Sequence, residues 1–84
     1  MGVLRTYEGR LRLLFRLREA GFLVRMHAYE YIVGDGRRLV AILLLEPWAR
    51  RADILDLRGS REGVARIANI VREVDPSMEV RVIP

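Results

Sequence analysis

The 84-residue chain has the size of one small domain, and its 51% hydrophobic and 31% charged residues are typical of a globular fold rather than a disordered tail. It contains no cysteine and no lysine, since all 15 basic residues are arginine. This excludes disulfides, thiolate chemistry, Schiff-base lysines and phosphate-loop lysines. The net charge of +4 lies in residues 1–27, where six arginines face two glutamates, whereas residues 28–84 balance nine arginines with nine acids.

The first predicted element is an amphipathic helix over residues 4–20, with apolar residues at helical spacing on one side. Arg5, Arg12 and Arg16 fall together on the opposite side of such a helix. Arg10 and Arg18 lie inside or beside the apolar arc, where each must reach outward or find a partner.

The middle of the chain predicts strands. Residues 22–33 are rich in aromatic and β-branched side chains and predict either one long strand bent near His27 or two strands. Gly34-Asp35-Gly36 predicts a hairpin turn, because Asp-Gly readily adopts positive φ angles. The almost wholly apolar run at 38–45 indicates a central strand that is apolar on both faces, and we therefore expect helices on both sides of the sheet.

The last third predicts a helix between two extended segments. Residues 53–58 form either a short strand or an approach to the helix, and Ser60 is a good N-cap for a helix over 61–74. Residues 75–77 break that helix, and 78–83 alternate as a final strand. We therefore expect a single domain over residues 1–84, of α/β (α+β) class, with a mixed sheet and a helix on each face.

This order of elements resembles the αβββαβ core of PD-(D/E)xK nucleases. Four stretches are similar to archaeal Holliday junction resolvases: RTYEGRL at 5–11, LREAGFLVR at 17–25, IVGDGRRLVAI at 32–42, and the segment from SREGV at 60–64 to Val82. The resemblance spans nearly the whole chain and implies a restriction-endonuclease-like fold and a homo-oligomer.

The resemblance also implies a lost active site. Enzymes of that family use an Asp entering the hairpin and a Glu-x-Lys in the next strand to hold Mg²⁺ and activate water. Here those positions hold Tyr31, Leu43 and Leu45, so we expect no catalytic residue, metal or cofactor. The alternative is a Mg²⁺-dependent, structure-specific endonuclease with a displaced site, in which arginine replaces the lysine. Its residues would be Glu8, Glu46, Asp56 and Arg58.

A second resemblance concerns residues 63–72, which are similar to the last helix of the catalytic domain of archaeal tRNA-splicing endonucleases. The Tyr, His and Lys triad of those enzymes is incomplete here, because lysine is absent and His27 is the one histidine. Their assemblies include non-catalytic subunits, so the resemblance implies a nuclease subunit as a further candidate partner.

The sequence thus predicts a catalytically inactive nuclease-fold domain that binds DNA, structured RNA or a nuclease partner through an arginine-rich face. The candidate phosphate contacts are Arg5, Arg12, Arg16, Arg25, Arg37 and Arg38. The candidate base-stacking residues are Tyr29, Tyr31 and Trp48.

The alternative function is a homo- or hetero-oligomeric interaction module without a nucleic-acid role. The apolar residues expected at its surface are Leu13, Leu23, Trp48 and Ile83. No apolar run reaches the length of a membrane span and the N-terminus lacks a signal-peptide pattern, so we expect no membrane association and a cytoplasmic location.

Overall fold

The computed structural model describes residues 2–84, which form a five-stranded sheet, two α-helices and two short 3₁₀ turns. The elements in chain order are the 3₁₀ turn Val3–Arg5, α1 Tyr7–Glu19, β1 Leu23–His27, β2 Glu30–Gly34, β3 Leu39–Glu46, the 3₁₀ turn Pro47–Ala49, β4 Arg51–Asp56, α2 Arg61–Val74 and β5 Glu79–Ile83. The strands lie across the sheet in chain order, antiparallel from β1 to β4, and β5 is parallel to β4. The predicted α+β class and mixed sheet are confirmed.

Both α-helices begin at hydroxyl caps. Ser60 Oγ accepts a hydrogen bond from the Gly63 N–H at 3.3 Å, and the predicted helix over 61–74 is confirmed. Thr6 Oγ1 likewise accepts one from the Gly9 N–H at 2.9 Å. The prediction of one continuous helix from residue 4 is wrong, because the extended backbone of Thr6 (φ −97°, ψ 151°) separates the first 3₁₀ turn from α1.

The segment at 22–33 folds as two strands, which confirms that alternative. The chain reverses at Ala28, which has a positive φ of 55°, and His27 then pairs with Glu30. The second hairpin reverses at the predicted turn, where Gly36 has a φ of 97°. Asp35 Oδ1 holds this turn by accepting the N–H groups of Arg37 and Arg38 at 2.9 and 3.2 Å.

The two helices lie side by side on the same face of the sheet. Arg16 on α1 donates to Glu73 on α2 at 2.9 Å, and the Arg66 guanidinium donates to the Ala20 carbonyl at the end of α1. Beneath the helices, buried residues alternate along the strands: Val24, Tyr31, Val33, Ala41, Leu43, Leu45, Ala52 and Ile54. The expected helix on the second face is therefore not where it was predicted.

The second apolar side of β3 explains this difference. Ile42 and Leu44 lie on the sheet face that points away from the helices, which we call the open face, and they are only half-buried. An apolar run on both sides of a central strand therefore indicates here one covered face and one exposed aliphatic face. Length and hydropathy alone do not distinguish this case from a strand covered on both sides.

Arg10 and Arg18 donate hydrogen bonds to backbone carbonyl groups. Arg10 is 9% exposed, and its Nη1 donates to the carbonyls of Leu4 and Arg5, each at 3.2 Å. Its guanidinium carbon also lies 4.3 Å from the ring centroid of Tyr29. Arg18 Nη2 donates to the carbonyl of Val24, on the edge strand β1, at 2.9 Å. The prediction that both side chains must find partners is confirmed.

Tyr31 joins β2 to α1. The side chain is fully buried, and its hydroxyl donates to the Arg10 carbonyl at 2.7 Å. Burial raises the pKa of Tyr31, so the hydroxyl stays protonated. This residue is a core anchor and offers no ring to a nucleobase.

Asp75 ties the N-terminal turn to the end of α2. Its Oδ2 accepts the Leu4 N–H at 3.1 Å, and its Oδ1 accepts the Ser77 hydroxyl and N–H at 2.6 and 3.1 Å. Burial by itself would raise the pKa of Asp75, but the hydrogen bonds from Ser77 and Leu4 outweigh burial and hold the pKa below its usual value. The folded state therefore favours the charged carboxylate.

We expect Asp75→Asn to lower the free energy of unfolding by about 1–3 kcal/mol, because the amide nitrogen that replaces one carboxylate oxygen leaves either the Leu4 N–H or the Ser77 donors without an acceptor. The folded-state pKa lies below the unfolded value, so this stabilisation is fully present above about pH 4 and is lost as the pH falls through the folded-state pKa. Urea melts of wild type between pH 7 and pH 2 should show that loss, and Asp75→Asn should show less of it. Glu19→Gln, at an exposed acid, is the control; an equal effect there would contradict this role for Asp75.

We expect Ala28→Gly to raise the free energy of unfolding by about 0.5 kcal/mol. Glycine adopts a positive φ without steric cost, and the greater conformational entropy of glycine in the unfolded chain offsets part of this gain. Ala65→Gly, on the exposed side of α2, is the matched control and should lower that free energy by about 0.5–1 kcal/mol. Denaturant midpoints of the two variants should move in opposite directions. Destabilisation by both would contradict a strained reversal at Ala28.

Candidate nucleic-acid interface

A groove of about 860 Å³ lies where the open face meets the edge strand β1 and the β2–β3 turn. We call it the arginine groove, and it is lined by Arg18, Phe22, Leu23, Val24, Arg25, Ile32, Gly34, Gly36, Arg38 and Leu39. Three guanidinium groups and no acidic side chain stand among these residues. The groove thus combines a basic rim with an apolar floor.

Strand register builds this floor. Arg25 pairs across the sheet with Ile32, which in turn pairs with Ile42, and Gly34 pairs with Leu39. Alternate residues of a strand share a face, so Arg25 lies on the open face while Val24 faces the helices. Arg18 reaches the same edge from the end of α1 through its bond to the Val24 carbonyl.

Asp35 is a charged carboxylate in the β2–β3 turn beside the groove. The backbone N–H groups of Arg37 and Arg38, followed by the guanidinium of Arg58, lower the pKa of Asp35 to about 2. Asp35 therefore stays charged at ordinary pH and pairs with Arg58. Within residues 2–84, Arg37 and Arg38 make no ion pair, so the turn presents both of them to a ligand.

The arginines of the first helix form no matching basic stripe. Arg5 lies in the separate 3₁₀ turn, and Arg16 is paired with Glu73 at 2.9 Å. Arg12 lies one helical turn after Glu8, on an outer surface that also carries Glu19. Of the six predicted phosphate contacts, only Arg25 and Arg38 line the groove, and Arg37 adjoins them.

The four residues of the displaced catalytic site do not come together. Glu46 and Asp56 lie at opposite ends of the β3–β4 pair, about 17 Å apart along the strands. Glu46 accepts from Arg51 at 2.8 Å, and Asp56 Oδ1 accepts the backbone N–H groups of residues 58–60. Arg58 is held by Asp35, while Glu8 lies on the outer surface of α1. Across residues 2–84, no three His, Cys, Asp or Glu side chains are close enough to hold a metal ion.

The remaining aromatic candidates lie away from the groove. Tyr29 and Trp48 pack edge to face with ring centroids 5.2 Å apart, and the Trp48 ring is largely exposed. Tyr29 follows the His27 end of β1, whereas the groove takes in residues 23–25 of that strand, and neither aromatic is among the lining residues of the groove.

Sequence reasoning missed some surface residues and misplaced one. Arg18 was recognised as needing a partner, but not as part of a binding surface, because its reach to β1 depends on how α1 crosses the sheet. Leu13 was expected at the surface and is fully buried, since it belongs to the side of α1 that packs on the sheet. Leu23, Trp48 and Ile83 are exposed as predicted.

Comparison with protein-family models, with curated proteins and with solved structures finds no match for this chain. Among residues 2–84, neither helix is long and apolar enough to cross a membrane. The interpretation of the arginine groove therefore depends on its geometry and charge.

Proposed function

We propose that this chain is a catalytically inactive domain of nuclease-like fold that binds nucleic acid at the arginine groove. The supporting observation is that Arg18, Arg25 and Arg38 line one groove with no acidic side chain among its lining residues. Guanidinium groups match phosphate oxygens in shape and charge, and a basic groove on a molecule of net charge +4 attracts polyanions.

The apolar floor favours unpaired nucleotides. Leu23, Ile32 and Leu39 offer aliphatic surface to an unstacked base, while the guanidinium rim takes the phosphates. A continuous duplex keeps its bases stacked inside and would use the rim alone. The ligand is therefore a single strand or the splayed arm of a branched DNA or structured RNA, bound with little sequence preference.

The absence of catalysis is part of the proposal. Leu43 and Leu45, which occupy the Glu and Lys positions of the nuclease resemblance, are buried under the helices. The acids of the displaced-site alternative lie far apart, and two of them are held by arginine or by backbone N–H groups. We expect no Mg²⁺-dependent cleavage of four-way junctions.

A second candidate function is an oligomeric interaction module. The observation that favours it is the aliphatic open face, which lies outside the covered core and carries Ile42 and Leu44. Binding of nucleic acid and self-association are compatible roles of one small domain, and separate experiments test them.

Arg25→Glu combined with Arg38→Glu should weaken binding of a fluorescent 20-nucleotide single strand at least tenfold at 50 mM salt, as measured by anisotropy at submicromolar protein. With three phosphate contacts, a plot of log K against log salt concentration should have a slope of about −2 for the wild type. The slope for the double variant should be about −1 or shallower. The matched control is Arg5→Glu combined with Arg12→Glu, which makes the same charge change on the first 3₁₀ turn and α1. It should lower the affinity no more than about threefold, because it weakens only the long-range attraction. Equal losses in the two variants would contradict a specific groove.

Asp35→Asn should strengthen binding of the same single strand about two- to threefold, because it removes a negative charge and releases Arg58 beside the groove. The Asn side-chain oxygen can still accept the Arg37 and Arg38 N–H groups, so the turn is kept. Asp53→Asn is the matched control, since it releases Arg81 on β5 and should leave affinity unchanged. Weaker binding by Asp35→Asn would contradict the proposed site.

A further inference from the structure

We propose that the open face binds a second copy of this chain, giving a two-fold symmetric dimer. The aliphatic patch on this face consists of Leu23, Ile32, Leu39, Ile42, Leu55 and Ile83. Leu23, Leu39 and Ile83 are 64%, 50% and 40% exposed, and the other three are half-buried. A contiguous aliphatic surface of this kind on so small a domain marks an interaction site.

Register makes the patch contiguous. Ile32 on β2, Ile42 on β3, Leu55 on β4 and Ile83 on β5 pair in sequence across four neighbouring strands. Leu23 and Leu39 lie in the adjoining row at the β2–β3 turn end. The row therefore forms a band rather than scattered apolar residues.

The charges of the open face favour a second copy as the occupant. Counted with Arg18 and Arg38 of the adjoining arginine groove, the face carries five arginines against four acids, which gives +1 with His27 neutral, whereas the rest of the chain carries +3. Two of the arginines are already paired within the face, Arg51 with Glu46 at 2.8 Å and Arg81 with Asp53 at 2.9 Å. Two such molecules repel each other least when these faces meet, because most of the net positive charge lies elsewhere on the surface.

The size of the face matches a modest dimer. Five strands spaced about 4.8 Å apart and about 17 Å long give a projected area on the order of 400 Å². Two such faces together give about 800 Å² of projected area, and the relief of the side chains raises the accessible area above this, toward the lower end of the range for specific interfaces, about 1,200 Å². Burial of the aliphatic band supplies the driving force at its centre.

Sedimentation velocity of the nucleic-acid-free protein between about 5 and 500 µM tests this inference. The weight-average sedimentation coefficient of wild type should rise with concentration toward that of a dimer. Leu39→Glu combined with Ile83→Glu should weaken dimerisation at least tenfold, because each charge enters the interface twice. The matched control is Phe15→Glu combined with Val82→Glu, on similarly exposed residues away from the open face, and it should dimerise like wild type.

Cross-linking gives a second measurement that depends on position. The chain has no cysteine, so Ile42→Cys introduces a single thiol at the middle of the open face, near the expected two-fold axis. Mild oxidation should convert this variant, but not Phe15→Cys, to a disulfide-linked dimer. Three results would each overturn the dimer. They are a wild type that stays monomeric at every concentration, an equal loss of dimerisation in both double variants, and no disulfide-linked dimer of Ile42→Cys.

Leu23, Ile32 and Leu39 belong to both the aliphatic patch and the arginine groove, so the second copy and a nucleic acid compete for part of one surface. The dimer does not depend on the proposed function, since it is measured without nucleic acid. Conversely, the anisotropy experiment uses protein concentrations at which the monomer predominates. The two experiments therefore fail or succeed separately.

Discussion

The placement of both helices on one face of the sheet determines the rest of this structure. The buried sides of α1 and α2 meet the same row of strand residues, with Leu43 and Ile54 at the centre, and Arg16–Glu73 and Arg66–Ala20 link the helices directly. Two helices suffice to cover one face of a five-stranded sheet of this width. The other face stays exposed, and both the arginine groove and the aliphatic patch are parts of it.

Local sequence signals predicted much of the fold. Ser60 and the Asp35-Gly36 turn act on the backbone within a few positions, and the helix and the hairpin that they delimit lie where they were expected. The reversal at Ala28 carried no such signal, since alanine rarely adopts a positive φ and here tertiary context imposes it. The side of the sheet on which each helix packs is a long-range property, and no residue spacing in one chain encodes it directly.

The candidate surface was only partly predictable for the same reason. Arg25 and Arg38 were recognised from charge alone, but so were Arg5 and Arg16, which the structure places in a separate turn and in an ion pair. Charge along the chain identifies which residues are basic. Which of them remain without an acidic neighbour depends on folding, as Asp35 with Arg58 and Asp53 with Arg81 illustrate.

The capped edge of β1 bears on how large an assembly this chain can build. An edge strand with unpaired carbonyl and N–H groups recruits further strands, and repeated recruitment leads to filaments. Arg18 occupies the Val24 carbonyl on that edge, so a neighbouring strand would have to displace a charge-assisted hydrogen bond before it could pair. Sheet extension is thereby disfavoured at this edge, which favours the proposed face-to-face contact over strand addition at β1.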